Sequence, residues 1–334
     1  MNLQTPVIIP KATFDVSHHS KMLLMGSCFS ENIGKKLEDN KFSVHVNPFG
    51  IMYNPISIYN AMNRLLDNET FTEMDFIHHN HLYHSLMHHG SFSKSNLDDA
   101  VEHVNTEFDR AFTQLNNADV LLITFGTSYV FRWNESGEVV GNCHKIPANR
   151  FTRERLSVES ICSAWSTLIK RVIAHNPSIK ILFTVSPIRH FKDGAHENQL
   201  SKATLHLSID KLMCDFPDNV FYFPAYEIVM DELRDYRFYT DDMLHPTILT
   251  QDYIWKRFGE TYFSSETIKI NTEWKKIHQA LNHKPYNADS KEYREFLQRT
   301  FSDLKAFEDK YTFFSCSHEK RYLTQLLKNH SIEY

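Results

Sequence analysis

The segment MLLMGSCFSENIG (22–34) sets a serine and a cysteine side by side, directly after an apolar run and a glycine and directly before a helical pattern. A strand that turns sharply into a helix presents Ser27 at the strand's carboxyl end, beside the first helix amides and the positive end of the helix dipole. A hydroxyl that attacks an acyl carbon would stand there, and so would a serine that merely caps the helix, so the residue alone leaves both readings open. Cys28 competes for the nucleophile's role, because a thiol at a helix N-terminus gains thiolate character. Flanked by Met25 and Phe29, it also reads as a small apolar core residue.

The second chemical feature is FYTDDMLHPT (238–247). Asp242 and His245, three apart in a turn before a helix that opens with Pro246, can meet so that the carboxylate holds one imidazole nitrogen and leaves the other as a base. Asp, His and Pro also gather at helix starts for capping, so the weight of this pair comes from combination with Ser27.

Two further clusters stand out. FIHHNHLYHSLMHHG (76–90) contains His78, His79, His81, His84, His88 and His89, and on a helix His84 and His88 would share a face as metal ligands do. No cysteine or evenly placed carboxylate completes a metal set, so pocket-lining or satisfied buried histidines are expected, with no metal and no cofactor. VSPIRHFKDG (185–194) places Arg189, His190 and Lys192 beyond a strand's carboxyl end, either to hold an anionic or sugar-bearing substrate or as a solvated loop. His89, Arg189 and His190 are the residues expected at the substrate.

The elements that must position these residues follow from short apolar runs alternating with helical patterns, as in a parallel sheet covered on both faces. Strands are expected over 21–25, 119–125, 179–185 and 219–223, with a further candidate at 42–46. Helices are expected over 29–39, 56–67, 97–115, 156–174 and 197–214. In an open sheet of this kind the ligand crevice lies at the strands' carboxyl ends, where the loops after Gly26, Gly126 and Ser186 converge. After about residue 264 the pattern is helical only: Tyr293, Leu297, Phe301, Leu304 and Phe307 mark one apolar face, Trp274, Ile277 and Leu281 another, and Tyr322, Leu323, Leu326 and Leu327 a last short one. The expected organisation is an α/β catalytic domain over 1–263 and a helical appendage over 264–334, packed on the core or serving as a homodimer surface.

Composition limits the partners. The 334 residues carry 36 Lys and Arg against 41 Asp and Glu, a net charge of −5 without a basic stripe, so neither nucleic acid nor an anionic membrane is an expected partner. The cysteines Cys28, Cys143, Cys162, Cys214 and Cys316 are five in number and widely spaced, which reads as free thiols in a reducing compartment. Neither a signal peptide nor an apolar run of spanning length is visible, so a cytoplasmic location is expected.

GSCFS (26–30), NPFGIMYNP (47–55), the Gly126-Thr127 turn, GNCHKIP (141–147), VSPIRH (185–190) and DDMLHP (241–246), in that order, resemble the GSCFA family, itself similar to the SGNH or GDSL-type hydrolases. The resemblance covers most of residues 20–260, with Ser30 where the family name has alanine. It implies a three-layer α/β/α fold with a mainly parallel central sheet. It also implies Ser27 as nucleophile, His245 as general base and then acid, and Asp242 as the residue that orients it. The backbone amides of Ser27 and Gly50 would form the oxyanion hole. The chain departs from the related hydrolases in the third block, where Ser128 stands in place of an asparagine whose amide donates to the oxyanion. Losing one such donor typically costs about 100- to 1000-fold in turnover, and Asn142 is the candidate replacement.

The implied activity is a serine esterase acting on small acyl esters, by analogy those of carbohydrates. Acyl transfer through the same residues remains open. So do a carbohydrate- or peptide-binding module on the same fold and a redox or acyl-transfer thiol at Cys28.

Overall fold

The computed structural model describes residues 5–329. Strand β1 (Lys21–Gly26) leads into helix α1 (Cys28–Asp39), and strand β2 (Ser43–Val46) leads into helix α2 (Pro55–Leu66). A hairpin of β3 (Phe76–His79) and β4 (Leu82–Ser85) precedes helix α3 (Leu97–Asn116) and strand β5 (Val120–Phe125). A second hairpin, β6 (Tyr129–Trp133) and β7 (Phe151–Arg155), precedes helix α4 (Val158–His175). Then come β8 (Lys180–Val185), α5 (Ala195–Asp215), β9 (Val220–Tyr222), the single turn α6 (Ala225–Glu227) and α7 (Ile248–Tyr262). The chain closes with α8 (Ser265–Leu281), α9 (Lys291–Lys310) and α10 (Ser317–Asn329).

Five strands form one parallel sheet in the order β2-β1-β5-β8-β9. Strands buried on both faces need apolar side chains at every position, and all six residues of β5 are buried. Alternate strand residues serve opposite layers. Leu23, Met25, Leu121, Ile123 and Phe183 pack against α2, α3, α4 and α5, whereas Met22, Leu24, Leu122 and Leu182 pack against α1 and α7. The molecule is thus a three-layer α/β/α fold with a parallel central sheet and added C-terminal helices.

The last three helices have an apolar cluster of their own, including Ile270, Trp274, Leu297, Leu304, Phe307 and Leu323. They meet the α/β core at the end of α1: Trp274 Nε1 donates to the carbonyl of Asp39 at 2.6 Å, and His18 Nε2 bonds Asn271 Oδ1 at 3.0 Å. That end of the sheet is opposite to the one where β1 delivers Ser27. Among the described residues no helix is long and apolar enough to cross a membrane.

Candidate active site

Ser27 owes its place to Gly26. In the sheet register Gly26 lies opposite Thr124, and a Cβ on it would stand 2.3 Å from the Thr124 carbonyl oxygen. Its φ of +145° is also one that L side chains rarely adopt, so only glycine makes this corner. Its amide donates to Asn47 Oδ1 at 2.9 Å, which fastens the corner to the loop after β2. Ser27 is the N-cap of α1, 1% exposed, and its Oγ accepts the Phe29 amide proton at 3.3 Å. Capping and presentation at a helix N-terminus therefore coexist in one residue. Three residues on, the buried Ser30 hydroxyl donates to Thr124 Oγ1 at 2.6 Å and also lies within 3.3 Å of the Met25 carbonyl oxygen.

Asp242 and His245 do meet. His245 Nδ1 lies 2.5 Å from Asp242 Oδ2, and Asp242 Oδ1 accepts the amides of His245 and Leu244, both at 2.9 Å, and the Thr240 hydroxyl at 2.8 Å. These donors, the His245 amide first, hold the Asp242 carboxyl well below the usual carboxylate range. The turn is closed by the Thr240 amide donating to the His245 carbonyl at 2.8 Å. The helix after it opens at Ile248 with Thr247 as its cap, two residues later than the expected opening at Pro246, which instead bridges to Tyr239. Both side chains of the pair are about half exposed, 53% for His245 and 47% for Asp242. Among the described residues no hydrogen bond joins His245 to Ser27, whose hydroxyl faces the Phe29 amide.

A cavity of about 390 Å³ opens between the loops at the carboxyl ends of the strands and the β6–β7 hairpin. Its wall includes Tyr53, Tyr129, Phe131, Asn142, Asn198 and His190, but not Ser27, Asp242 or His245. Arg153 of the hairpin clasps Asp193 of the loop after β8 and lies over the Tyr129 ring, 4.3 Å from its centre. His190 stands on the cavity wall, where its ring meets Tyr53 edge-on at 5.6 Å. Burial first, then the charges of Lys202 and His245, push its pKa down to about 4.

Lys202, 1% exposed, lies under this region on α5 and donates to the carbonyls of Gly126 at 2.8 Å and Ser186 at 2.6 Å. It thereby joins the loops that leave β5 and β8. Burial pulls its pKa down to about 7. Nothing in the motif reading pointed to it. The available signal was a lysine among the inward positions Asn198, Ser201, Leu205, Ile209 and Leu212 of α5.

The other expected residues make the following contacts. Gly50, with φ +76°, donates its amide to the Asn47 carbonyl at 2.7 Å, and a Cβ there would meet His89 Cβ at 2.3 Å. Ser128 is fully buried and its hydroxyl donates to Ser201 Oγ at 3.1 Å. Asn142 reaches the cavity wall, while its Oδ1 accepts the His144 amide at 2.8 Å. His89 caps a short turn through Ser91 and stands against Gly50, away from the cavity wall. Arg189 reaches Asn198 Oδ1 at 3.4 Å and lies over Phe191.

At Cys28 and in the histidine cluster the sequence left a sharper alternative open beside the favoured reading, and the structure runs against that alternative at both places. Cys28 is half-buried, and desolvation raises its thiol's pKa despite the helix amides beside it, so the site does not favour a thiolate. His84 and His88 do not share a helix face: residues 76–85 form the β3–β4 hairpin, turned by Asn80 and His81 with φ of +48° and +62°. His84 bonds Ser93 Oγ at 2.7 Å and the His79 carbonyl at 3.0 Å, and His88 bonds Ser85 Oγ at 2.9 Å.

A parallel α/β/α sheet with a serine at the first strand's exit and an Asp-His pair near the chain's last core helix defines the architectural class. The model of the GSCFA family matches residues 21–258, and that of the GSCFA domain protein, C-terminal domain, matches residues 274–329. The chain belongs to the GSCFA family.

Among solved structures it is similar to an acetyl esterase mutant with acetate ion, at 10% identity and a TM-score of 0.34 over 76% of this chain and 99% of that one. A carbohydrate esterase family 3 protein from Talaromyces cellulolyticus gives 10% identity and a TM-score of 0.33 over 76% and 99%. An acetyl xylan esterase from the rumen bacterium Butyrivibrio proteoclasticus gives 12% identity and a TM-score of 0.35 over 72% and 63%. No curated protein matches the chain.

Proposed function

We propose that the chain is a serine esterase that cleaves small acyl esters, with Ser27 as nucleophile, His245 as general base and acid, and Asp242 as its anchor. The observation that carries this reading is the Asp242–His245 pair, bonded through Nδ1 at 2.5 Å so that Nε2 is left free to take a proton. It stands with a serine at a helix N-terminus on a family-matched α/β/α core. In the first step His245 Nε2 takes the Ser27 proton as Oγ bonds the acyl carbon and the carbonyl electron pair moves onto oxygen. Collapse of that intermediate breaks the ester C–O bond, and His245 gives its proton to the departing alkoxide. Water then repeats the two steps on the acyl-enzyme and frees the acid. The Ser27 side chain must turn from the Phe29 amide toward His245, a tightening expected on substrate binding.

The cavity's rings and amides, Tyr129, Phe131, Asn142 and Asn198, suit a polar acceptor with flat apolar faces such as a sugar. A sugar hydroxyl in place of water would make the same residues an acyltransferase. A binding module is the second reading, favoured by the engagement of the Gly50 amide and the Ser128 hydroxyl within the fold. Turnover of an activated acetyl ester by wild type and Ser27→Ala separates these: the esterase loses turnover by at least about 1000-fold, whereas a binding module shows the same slow background in both.

A further inference from the structure

In the esterase reading the oxyanion is short of donors, because the Ser128 hydroxyl is turned onto Ser201 at 3.1 Å. The amide of Gly50 is likewise spent on the Asn47 carbonyl at 2.7 Å. His190 meets the shortage in another way. It follows β8 at the carboxyl edge of the sheet, and its ring lines the cavity against Tyr53 at 5.6 Å. Neither ring nitrogen has a hydrogen-bond partner among the described residues. The charges of Lys202 and then His245 act on it, and the Lys202 ammonium is fixed by the Gly126 and Ser186 carbonyls. The loop that carries it is further held by the Arg153–Asp193 pair.

We propose that His190 is a further catalytic residue, the side-chain hydrogen-bond donor to the tetrahedral oxyanion in the place that related hydrolases give to an asparagine amide; this rests on the esterase reading above. The imidazole gives a hydrogen bond and transfers no proton. The Ser27 proton goes to His245 and the carbonyl electron pair rests on the oxygen beside the His190 N–H; on collapse that pair re-forms the C=O bond, the ester C–O bond breaks with its electrons on the alkoxide, and His245 gives the alkoxide its proton. Neutrality suits the role, because a neutral ring has one N–H to donate, while a second imidazolium would oppose the charge that forms on His245. Burial and the neighbouring Lys202 both keep the ring uncharged.

The test compares His190→Phe, which keeps the ring against Tyr53 without a donor, with His190→Gln, which restores an N–H donor. On an activated acetyl ester, kcat of His190→Phe should fall about 100- to 1000-fold with KM nearly unchanged, and His190→Gln should recover about tenfold of the loss. Three results overturn the proposal: kcat of His190→Phe within about threefold of wild type, a change confined to KM, or equal losses in both variants. Fluorophosphonate labelling of Ser27 in each variant separates this failure from that of the underlying reading. A labelled Ser27 with unaltered kcat in His190→Phe removes only the histidine's role, whereas an unlabelled Ser27 in wild type removes the esterase itself.

Discussion

At the scale of single residues the account stands on Asp242. Its carboxylate is held ionised by two backbone amides and a hydroxyl as well as by His245, so it stays an acceptor throughout the neutral range. Asp242→Asn keeps the shape but offers the wrong partner to Nδ1. It should lower kcat by about 100- to 10,000-fold in steady-state assays, while an unchanged kcat would remove Asp242 from the mechanism. Cys28→Ala should leave turnover within about twofold, because burial keeps that thiol protonated. The Asp242–His245 bond was legible in the three-residue spacing of the pair, and Ser27 at the strand's exit in the apolar run and glycine before it, while the roles proposed for the three came from the family resemblance. The roles of Gly50 and Ser128 were not legible, because which hydrogen bond an amide or hydroxyl makes depends on partners such as Asn47 and Ser201 that only the fold supplies. Lys202 was hidden for a related reason, since its acceptors are backbone carbonyls, which leave no trace in residue types.

At the scale of elements, the five parallel strands and the helices around them were readable because burial on both faces demands unbroken apolar runs. The β3–β4 and β6–β7 hairpins were not. Their strands are four or five residues long and rich in His, Arg and Tyr, so neither alternation nor apolarity marks them. The corner after β1 is the most exacting element. Gly26→Ala would drive a Cβ into the Thr124 carbonyl, and it should cost about 2–4 kcal/mol in denaturant unfolding and displace Ser27. Wild-type stability and turnover in that variant would show that the corner does not need glycine.

At the scale of the whole molecule, buried histidines set the response to acid. His18, His88 and His144 are at least 92% buried, and desolvation lowers their pKa values to about 4, 3 and 4. Above about pH 6.5 they are neutral folded or unfolded and contribute nothing to the pH dependence. Below it the unfolded chain takes up protons that the folded chain refuses, so stability is lost as pH falls from about 6.5 toward 4, by up to about 1.4 kcal/mol per pH unit for each. Thermal midpoints should therefore drop steadily between pH 7 and 5, and a flat profile would contradict the burial of neutral rings. The C-terminal helices were legible as amphipathic stretches, but their seat on α1, at the end of the sheet remote from Ser27, was not. Trp274→Ala should cost about 3–5 kcal/mol through its buried ring, yet leave the rate of Ser27 labelling unchanged in the folded fraction. A slowed label would tie those helices to the site.

The most direct test of the central claim is fluorophosphonate labelling followed by peptide mass mapping, on wild type, Ser27→Ala and Cys28→Ala. The account predicts one adduct on Ser27 in wild type and Cys28→Ala, and none in Ser27→Ala, with turnover of an acetyl ester lost in that variant alone. An adduct on Cys28, or no adduct and equal slow turnover in all three proteins, would contradict it.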